Sequence, residues 1–199
     1  MPLPLIPDLI NKLQSSCYFT KFDVQWGYNN IHIQQGDKWK AAFKCAPGLF
    51  EPLVMTIGLY NAPTTFQAFI NNIFSDLVNE GHFIVYLNNI LLFHNDLTKL
   101  HHLTHEVLQC LWKYNLYLKP EKCSFDQTTI EYLGVIISTE NICMDLTKVQ
   151  GIMKWPHPTK VKEIQLFLGF CNFYQYFIHN YLKIAHLLFQ LTKKDMPFT

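Results

Sequence analysis

The stretch FIVYLNNILLF, Phe83 to Phe93, restricts the fold more than any other part of the chain. An apolar run climbs to two adjacent asparagines, Asn88 and Asn89, and a second apolar run leaves them. The pattern predicts strand, turn and strand, because Asn tolerates the left-handed geometry of a hairpin apex. So apolar a hairpin needs a core around it. Of 199 residues, 49% are hydrophobic and 15% aromatic, which supplies that core and excludes wholesale disorder. The length suits one large domain, or a domain with a small appendage.

Other elements follow from periodicity and punctuation. Residues 1–17 read as a proline-punctuated lead-in. Tyr18 to Val24 predicts a short strand ending near Asp23, NNIHIQ a second and WKAAFK a third. The segment from Asn61 predicts a helix, with Asn61 as cap, Pro63 in the first turn and Phe66, Phe69, Ile70 and Phe74 as a packing stripe. A second helix follows the hairpin, with Leu100, Leu103, Val107, Leu108 and Leu111 on its core side. Beyond Tyr117 come short extended pieces, then a helix capped by Asp145 and halted by Pro156 and Pro158. A further helix begins at Thr159. These features place a boundary near Pro156.

Chemistry-bearing residues are sparse. Asp23 at a strand end reads either as a turn-solvating carboxylate or as a metal ligand partnered by the hairpin apex. With Asn88 and Asn89 in the other ligand positions, only Asp23 brings negative charge. His101, His102 and His105 are surface or partly packed histidines, or part of a metal set that His32 or Cys110 would complete. Lys38, Lys40 and Lys44, interleaved with Trp39 and Phe43, form a wet edge strand or line a nucleic-acid groove. Net charge is +1, so no global field draws the chain to nucleic acid. Six scattered cysteines without a C-x2-C pair suit a reducing compartment and argue against a zinc knuckle. The start lacks a basic n-region and no 18-residue apolar run occurs, which predicts no secretion or membrane span and a cytoplasmic or nuclear protein.

Taken together, nine collinear stretches resemble the reverse transcriptase of gypsy-type (Metaviridae) LTR retrotransposons: LPLIPDLINKL, YFTKFDVQWGYNNIHI, GDKWKAAFK, GLFEPLVM, GLYNAPTTFQAFINNIF, YLNNILLF, LYLKPEKCSF, EYLGVIIS and FLGFCNFYQYFI. The resemblance implies an α+β fold: a right-hand polymerase palm and primer-grip region over 18–155, a mostly helical thumb over 156–199, and fingers largely missing. It implies that Asp23 is a metal-binding aspartate with Val24 beside the ions. Tyr28, Ile57, Gly58, Pro63 and Gln67 then belong to the nucleotide pocket, and Leu133 and Gly134 contact the primer. Tyr86 and Leu87 match the start of the Tyr-x-Asp-Asp turn, whose two aspartates are here Asn88 and Asn89. Thr56 and Ile57 replace the family's usual Pro-Phe. The family uses Mg²⁺, and these departures imply that binding is lost.

The leading expectation is therefore a degenerate, inactive RNA-directed DNA polymerase fragment of a retrotransposon polyprotein, without RNase H, integrase or protease domains. Its alternatives are an active or partner-complemented polymerase, and a non-enzymatic nucleic-acid or protein-binding module. Expected partners are an RNA/DNA template-primer, weakly held, and other copies of the chain through exposed apolar surface.

Overall fold

The structure, a computed structural model, describes Lys12, Leu13 and residues 16–193. Most of the expected lead-in lies outside the described residues. Two compact units emerge: residues 1–132 with 137–141, and residues 133–136 with 142–199.

In the first unit, strand β1 (Tyr18–Asp23) leads into a 3-10 turn at Gly27–Asn30 and a second at Lys38–Ala41. A small hairpin of β2 (Phe43–Cys45) and β3 (Gly48–Phe50) follows. Helices α1 (Ala62–Ile73) and α2 (Ser75–Glu80) precede the predicted hairpin, which is β4 (Phe83–Tyr86) and β5 (Asn89–His94). Helix α3 (Leu97–Lys113) and strand β6 (Ser124–Gln127) come next. The main sheet runs β4-β5-β1-β6, with β5 antiparallel to both neighbours.

Residue type explains this order. Ile90, Leu91, Leu92 and Phe93 are all buried, so β5 is covered on both faces and takes a central place. Phe22, Ile90, Leu92, Phe83 and Val85 share one core with Phe66 and Ile70 of α1 and Leu100, Leu103, Val107 and Leu111 of α3. The i, i+3/i+4 spacing on those helices puts these side chains on one stripe. Asp96 starts α3, accepting hydrogen bonds from the amides of Thr98 and Lys99 at 2.8 and 3.3 Å.

Strands β7 (Thr129–Tyr132), β8 (Val135–Ser138) and β9 (Ile142–Met144) follow, and the division between the units runs through them. The second unit continues as α4 (Leu146–Met153), α5 (Val161–Phe173) and α6 (Tyr181–Leu191). Ile164, Leu168, Cys171, Tyr181 and Ala185 form its buried centre.

Several expectations need correction. NNIHIQ is no strand: its first residues coil into the 3-10 turn and His32 makes one isolated bridge to Val54. WKAAFK divides between the second 3-10 turn and β2, so its lysines do not share one strand face. Asn61 makes no side-chain cap; instead Thr64 Oγ1 donates to its carbonyl at 3.0 Å. Leu108 is 37% exposed rather than core, because the stripe narrows to the other four positions. Asp145 caps α4 as expected, through Thr147 N at 2.9 Å. Thr159 does not cap α5, which starts at Val161; its amide donates to Glu163 Oε2 at 2.7 Å.

Candidate functional site

Leu87 and Asn88 make the two-residue turn between β4 and β5, with Tyr86 paired to Asn89 across it. Leu87 has φ 54°, whereas Asn88 does not enter the positive-φ region. Positive φ at the first central residue alone is the pattern of a type II′ turn, where glycine is preferred. The left-handed geometry thus falls on a leucine and not on the asparagines, contrary to the sequence-based expectation; Asn89 is already strand. Gln67 of α1 holds the turn. It is 1% exposed, its Oε1 accepts from Leu87 N at 2.8 Å, and its Nε2 donates to Val85 O at 3.1 Å and Asn71 Oδ1 at 2.9 Å.

The β1–β5 register sets Asp23 opposite Asn89. Asp23 is 6% exposed. Asn88 Nδ2 donates to Asp23 Oδ1 at 3.2 Å, and Asn89 Nδ2 reaches Asn88 Oδ1 at 3.5 Å. The expected trio is therefore brought together. Val24 N donates to Asn88 O at 2.8 Å, and Lys119 N to Asp23 O at 2.9 Å, so the chain around Leu118 runs beside β1. A 3-10 turn at Pro120–Lys122 then aims two lysines at one carboxylate. Lys119 Nζ lies 3.8 Å from Asp23 Oδ1 and Lys122 Nζ 3.8 Å from Oδ2. Neither lysine is singled out by sequence reasoning; their only local signal is a spacing of three across Pro120.

Tyr132 adds a further hold on the hairpin, its hydroxyl donating to Asn89 O at 3.2 Å. Burial pushes this phenol far above its ordinary range, with Tyr86 adding to the rise, so it stays a neutral donor.

This donor set does not fit a divalent cation. Mg²⁺ calls for hard oxygen ligands in near-octahedral array, largely charged. Here one carboxylate stands with two amides, and it already faces two ammonium groups. Among the described residues, no group of three or more His, Cys, Asp or Glu is placed to hold a metal.

Beside Asp23 lies a pocket of about 170 Å³ lined by Val24, Trp26, Gly27, Tyr28, Asn29, Ile57, Phe66, Asn88 and Lys119. The expected residues Val24, Tyr28 and Ile57 thus meet, with Ile57 85% exposed at the opening. Pro63 sits in the first turn of α1, Gly58 turns the chain at φ 105°, and Gln67 serves the hairpin rather than the pocket. Leu133 and Gly134 form the turn before β8, with φ 51° and 81°. A Cβ on Gly134 would stand 3.0 Å from Tyr174 Oη.

Tyr28 meets Phe66 edge-on, ring centroids 5.7 Å apart. A Cβ built on Gly27 would come within 2.8 Å of Phe66 Cζ, and that ring is fully buried. Gly27→Ala is therefore expected to destabilise the fold by about 1–3 kcal/mol through overpacking. Urea denaturation checks it, and an unchanged midpoint would show that the ring yields freely.

The histidines settle elsewhere. His101 Nε2 lies 2.9 Å from Asp126 Oδ2, and His102 Nδ1 3.3 Å from Glu106 Oε1, both in exposed pairs. A different pair is closer: His82 and His94 have ring centroids 4.4 Å apart. His94 Nδ1 accepts from Asp96 N at 2.8 Å, which requires that nitrogen to be unprotonated. Burial first, then His82 and Lys99, hold the His94 pKa below its ordinary 6.5, against a smaller opposing pull from Asp96. The unfolded chain then takes up the proton more readily. Stability from this group is full above about pH 6.5 and declines as pH falls through the window beneath it. Thermal melts of the protein and of His94→Gln between pH 7 and 5 should show the decline flattened in the variant; parallel slopes would refute the assignment.

A profile described as Reverse transcriptase (RNA-dependent DNA polymerase) matches residues 1–137. The Transposon Tf2-7 polyprotein of Schizosaccharomyces pombe (strain 972 / ATCC 24843) is 38% identical over 197 residues, 98% of this chain and 15% of the polyprotein. The Tf2-3 polyprotein of the same strain is 36% identical over the same shares. The chain thus spans about 15% of the length of these curated relatives. Among solved structures, the foamy viral protease-reverse transcriptase dRH in complex with ds DNA superimposes with TM-score 0.86 at 19% identity, covering 96% of this chain and 33% of that one. The foamy viral enzyme in complex with RNA/DNA hybrid gives TM-score 0.80 at 20% identity, covering 92% and 25%. At these identities the likeness is one of fold, and it establishes the α+β architecture expected from the sequence. Among the described residues no helix is long and apolar enough to cross a membrane.

Proposed function

This chain belongs to the reverse transcriptase (RNA-dependent DNA polymerase) family, and from that premise we propose that it is a degenerate polymerase portion of a retrotransposon polyprotein whose centre no longer transfers nucleotides. One observation carries the reading: where a polymerase centre gathers carboxylates, Asp23 stands alone among two asparagines and two lysines. Asn88 and Asn89 take the places of the two aspartates of the Tyr-x-Asp-Asp turn. Asp23 is the remaining member of the set. By the family's pattern Val24, Tyr28, Ile57, Gly58, Pro63 and Gln67 hold the places of the nucleotide pocket, of which Val24, Tyr28 and Ile57 line the cavity beside Asp23 while Gln67 acts through the hairpin, and Leu133 and Gly134 hold those of the primer contact. On this reading the palm and primer grip occupy 18–155 and the thumb 156–199.

Template-primer remains the partner that this architecture suits, since the similar foamy viral proteins are described in complex with RNA/DNA hybrid and with ds DNA. Binding without chemistry is the form we assign to it here. Calorimetric titration with Mg²⁺ tests the metal side of the reading. No saturable site is expected at millimolar-scale concentration, since one carboxylate neutralises half of a divalent charge at best. A stoichiometric site that disappears in Asp23→Asn would refute it.

A further inference from the structure

We propose that helix α6 is a self-association surface. Its outer apolar stripe, Ile184, Leu187, Leu188 and Leu191, pairs antiparallel with the same stripe of a second copy of this chain, about a two-fold axis at Leu187.

The composition of the helix is the first ground. Tyr181–Leu191 reads YLKIAHLLFQL. Apart from the Tyr181 hydroxyl, which donates inward to Leu168 O at 3.4 Å, its polar side chains are Lys183, His186 and Gln190. They recur at i, i+3 and i+7, so the helix offers water a strip about one residue wide. His186 Nε2 and Gln190 Nε2 lie 2.9 Å apart along that strip. A helix apolar around most of its circumference calls for cover on more than one side. Cover is found on one. Tyr181 and Ala185 are buried in the centre of the second unit, with Leu188, Phe189 and Leu191 packed partly against it. Ile184 and Leu187 stay 67% and 74% exposed. With the half-covered Leu188 and Leu191 they make an i, i+3, i+4, i+7 set, the spacing by which one helix seats its knobs in the holes of another.

Charge selects the occupant and its direction. Helix α6 has no acidic residue in its first turn and no basic residue in its last, so neither end of its dipole is answered from within. Lys183 sits in the first turn, where the dipole is already positive. Parallel pairing would set Lys183 against its own counterpart. Antiparallel pairing carries each Lys183 towards the last turn of the other helix, where the carbonyl end is negative. The surface is thus complementary to itself in one orientation, as a closed two-fold contact requires. A net charge of +1 adds little repulsion between copies.

Size sets the strength. Eleven residues make a helix of roughly 16 Å. Four side chains along it cover far less than the roughly 800 Å² per partner of a standard stable interface. The dimer is therefore reversible and emerges as concentration rises.

The test is sedimentation velocity of the full chain over a roughly hundredfold range of concentration. A monomer–dimer shift is expected, with nothing larger. Leu187→Asp and Leu187→Lys should each move the midpoint up by about tenfold or more, because like charges then face each other across the axis. Mixing these two variants should restore association, since opposite charges then meet. Lys183→Glu should weaken it by a smaller factor. Met153→Asp, at an 81% exposed position on α4, should leave it unchanged. Leu187 is mostly in solvent, so circular dichroism of its variants is expected to match the parent. A monomer at every concentration, or association that survives both Leu187 variants, would overturn the proposal. Equal loss in Met153→Asp would show general apolar adhesion and overturn it as well. Growth beyond a dimer, or no recovery in the mixture, would overturn the two-fold axis at Leu187. None of these outcomes bears on the loss of polymerase activity.

Discussion

Primer extension by the purified chain with Mg²⁺ should fall roughly 10⁴- to 10⁶-fold below that of a centre with three carboxylates. Removing one preorganised electrostatic contact from a reacting centre typically costs about 3–4 kcal/mol of transition-state stabilisation. Two such losses, Asn88 and Asn89 in place of aspartates, give that range, with the two effects not strictly additive because the side chains touch. Asp23 does not compensate, since Lys119 and Lys122 oppose its charge. The double reversion Asn88→Asp/Asn89→Asp is expected to recover only a small part of the activity. Thr56 and Ile57 remain, and Ile57 lies mostly in solvent rather than closing the pocket. Robust templated extension by the unaltered chain, abolished by Asp23→Asn, would overturn the dead-centre reading. Full recovery on reversion would show that the asparagines are the only lesion.

The parts of this centre that sequence reveals are those that leave a periodic or positional trace. FIVYLNNILLF announces its hairpin because apolar residues on both sides of a turn have nowhere to go but a covered sheet. The strand ending at Asp23 and the stripes of α1 and α3 are legible for the same reason. The lysines are not. Lys119 and Lys122 reach Asp23 through pairing between distant segments, Val24 with Leu118, and such pairing leaves no mark on local spacing. The strain at Leu87 is equally hidden. A turn of Asn-Asn reads as the place for positive φ, yet the register of β4 with β5 moves that burden one residue back. Ile31 and Ile33 show why alternation alone misleads: the pattern is present, but without a continuous partner strand it yields a single bridge.

Gln67→Leu should cost about 2–6 kcal/mol of stability, the largest effect expected from one substitution at this centre. The change keeps the side chain near its volume, so the cost is not that of a cavity. It comes from two backbone groups left without their partner, Leu87 N–H and Val85 C=O, at about 1–3 kcal/mol for each buried group. Against a typical total of about 5–15 kcal/mol, that is a large share. The turn itself should respond as well. A non-glycine residue at positive φ costs about 1–3 kcal/mol and persists only where its surroundings over-determine it. With Gln67 gone, Leu87 is free to relax, and its amide should lose protection from hydrogen exchange while the β1 amides keep theirs. Gln67→Glu gives the sign of the argument. Its carboxylate still accepts from Leu87 N but turns an oxygen towards Val85 O, so it should destabilise more at pH 7 than at pH 4, where a protonated carboxyl can donate. A Gln67→Leu variant within about 1 kcal/mol of the parent, with the Leu87 amide still protected, would mean that the register of β4 and β5 alone sets the turn.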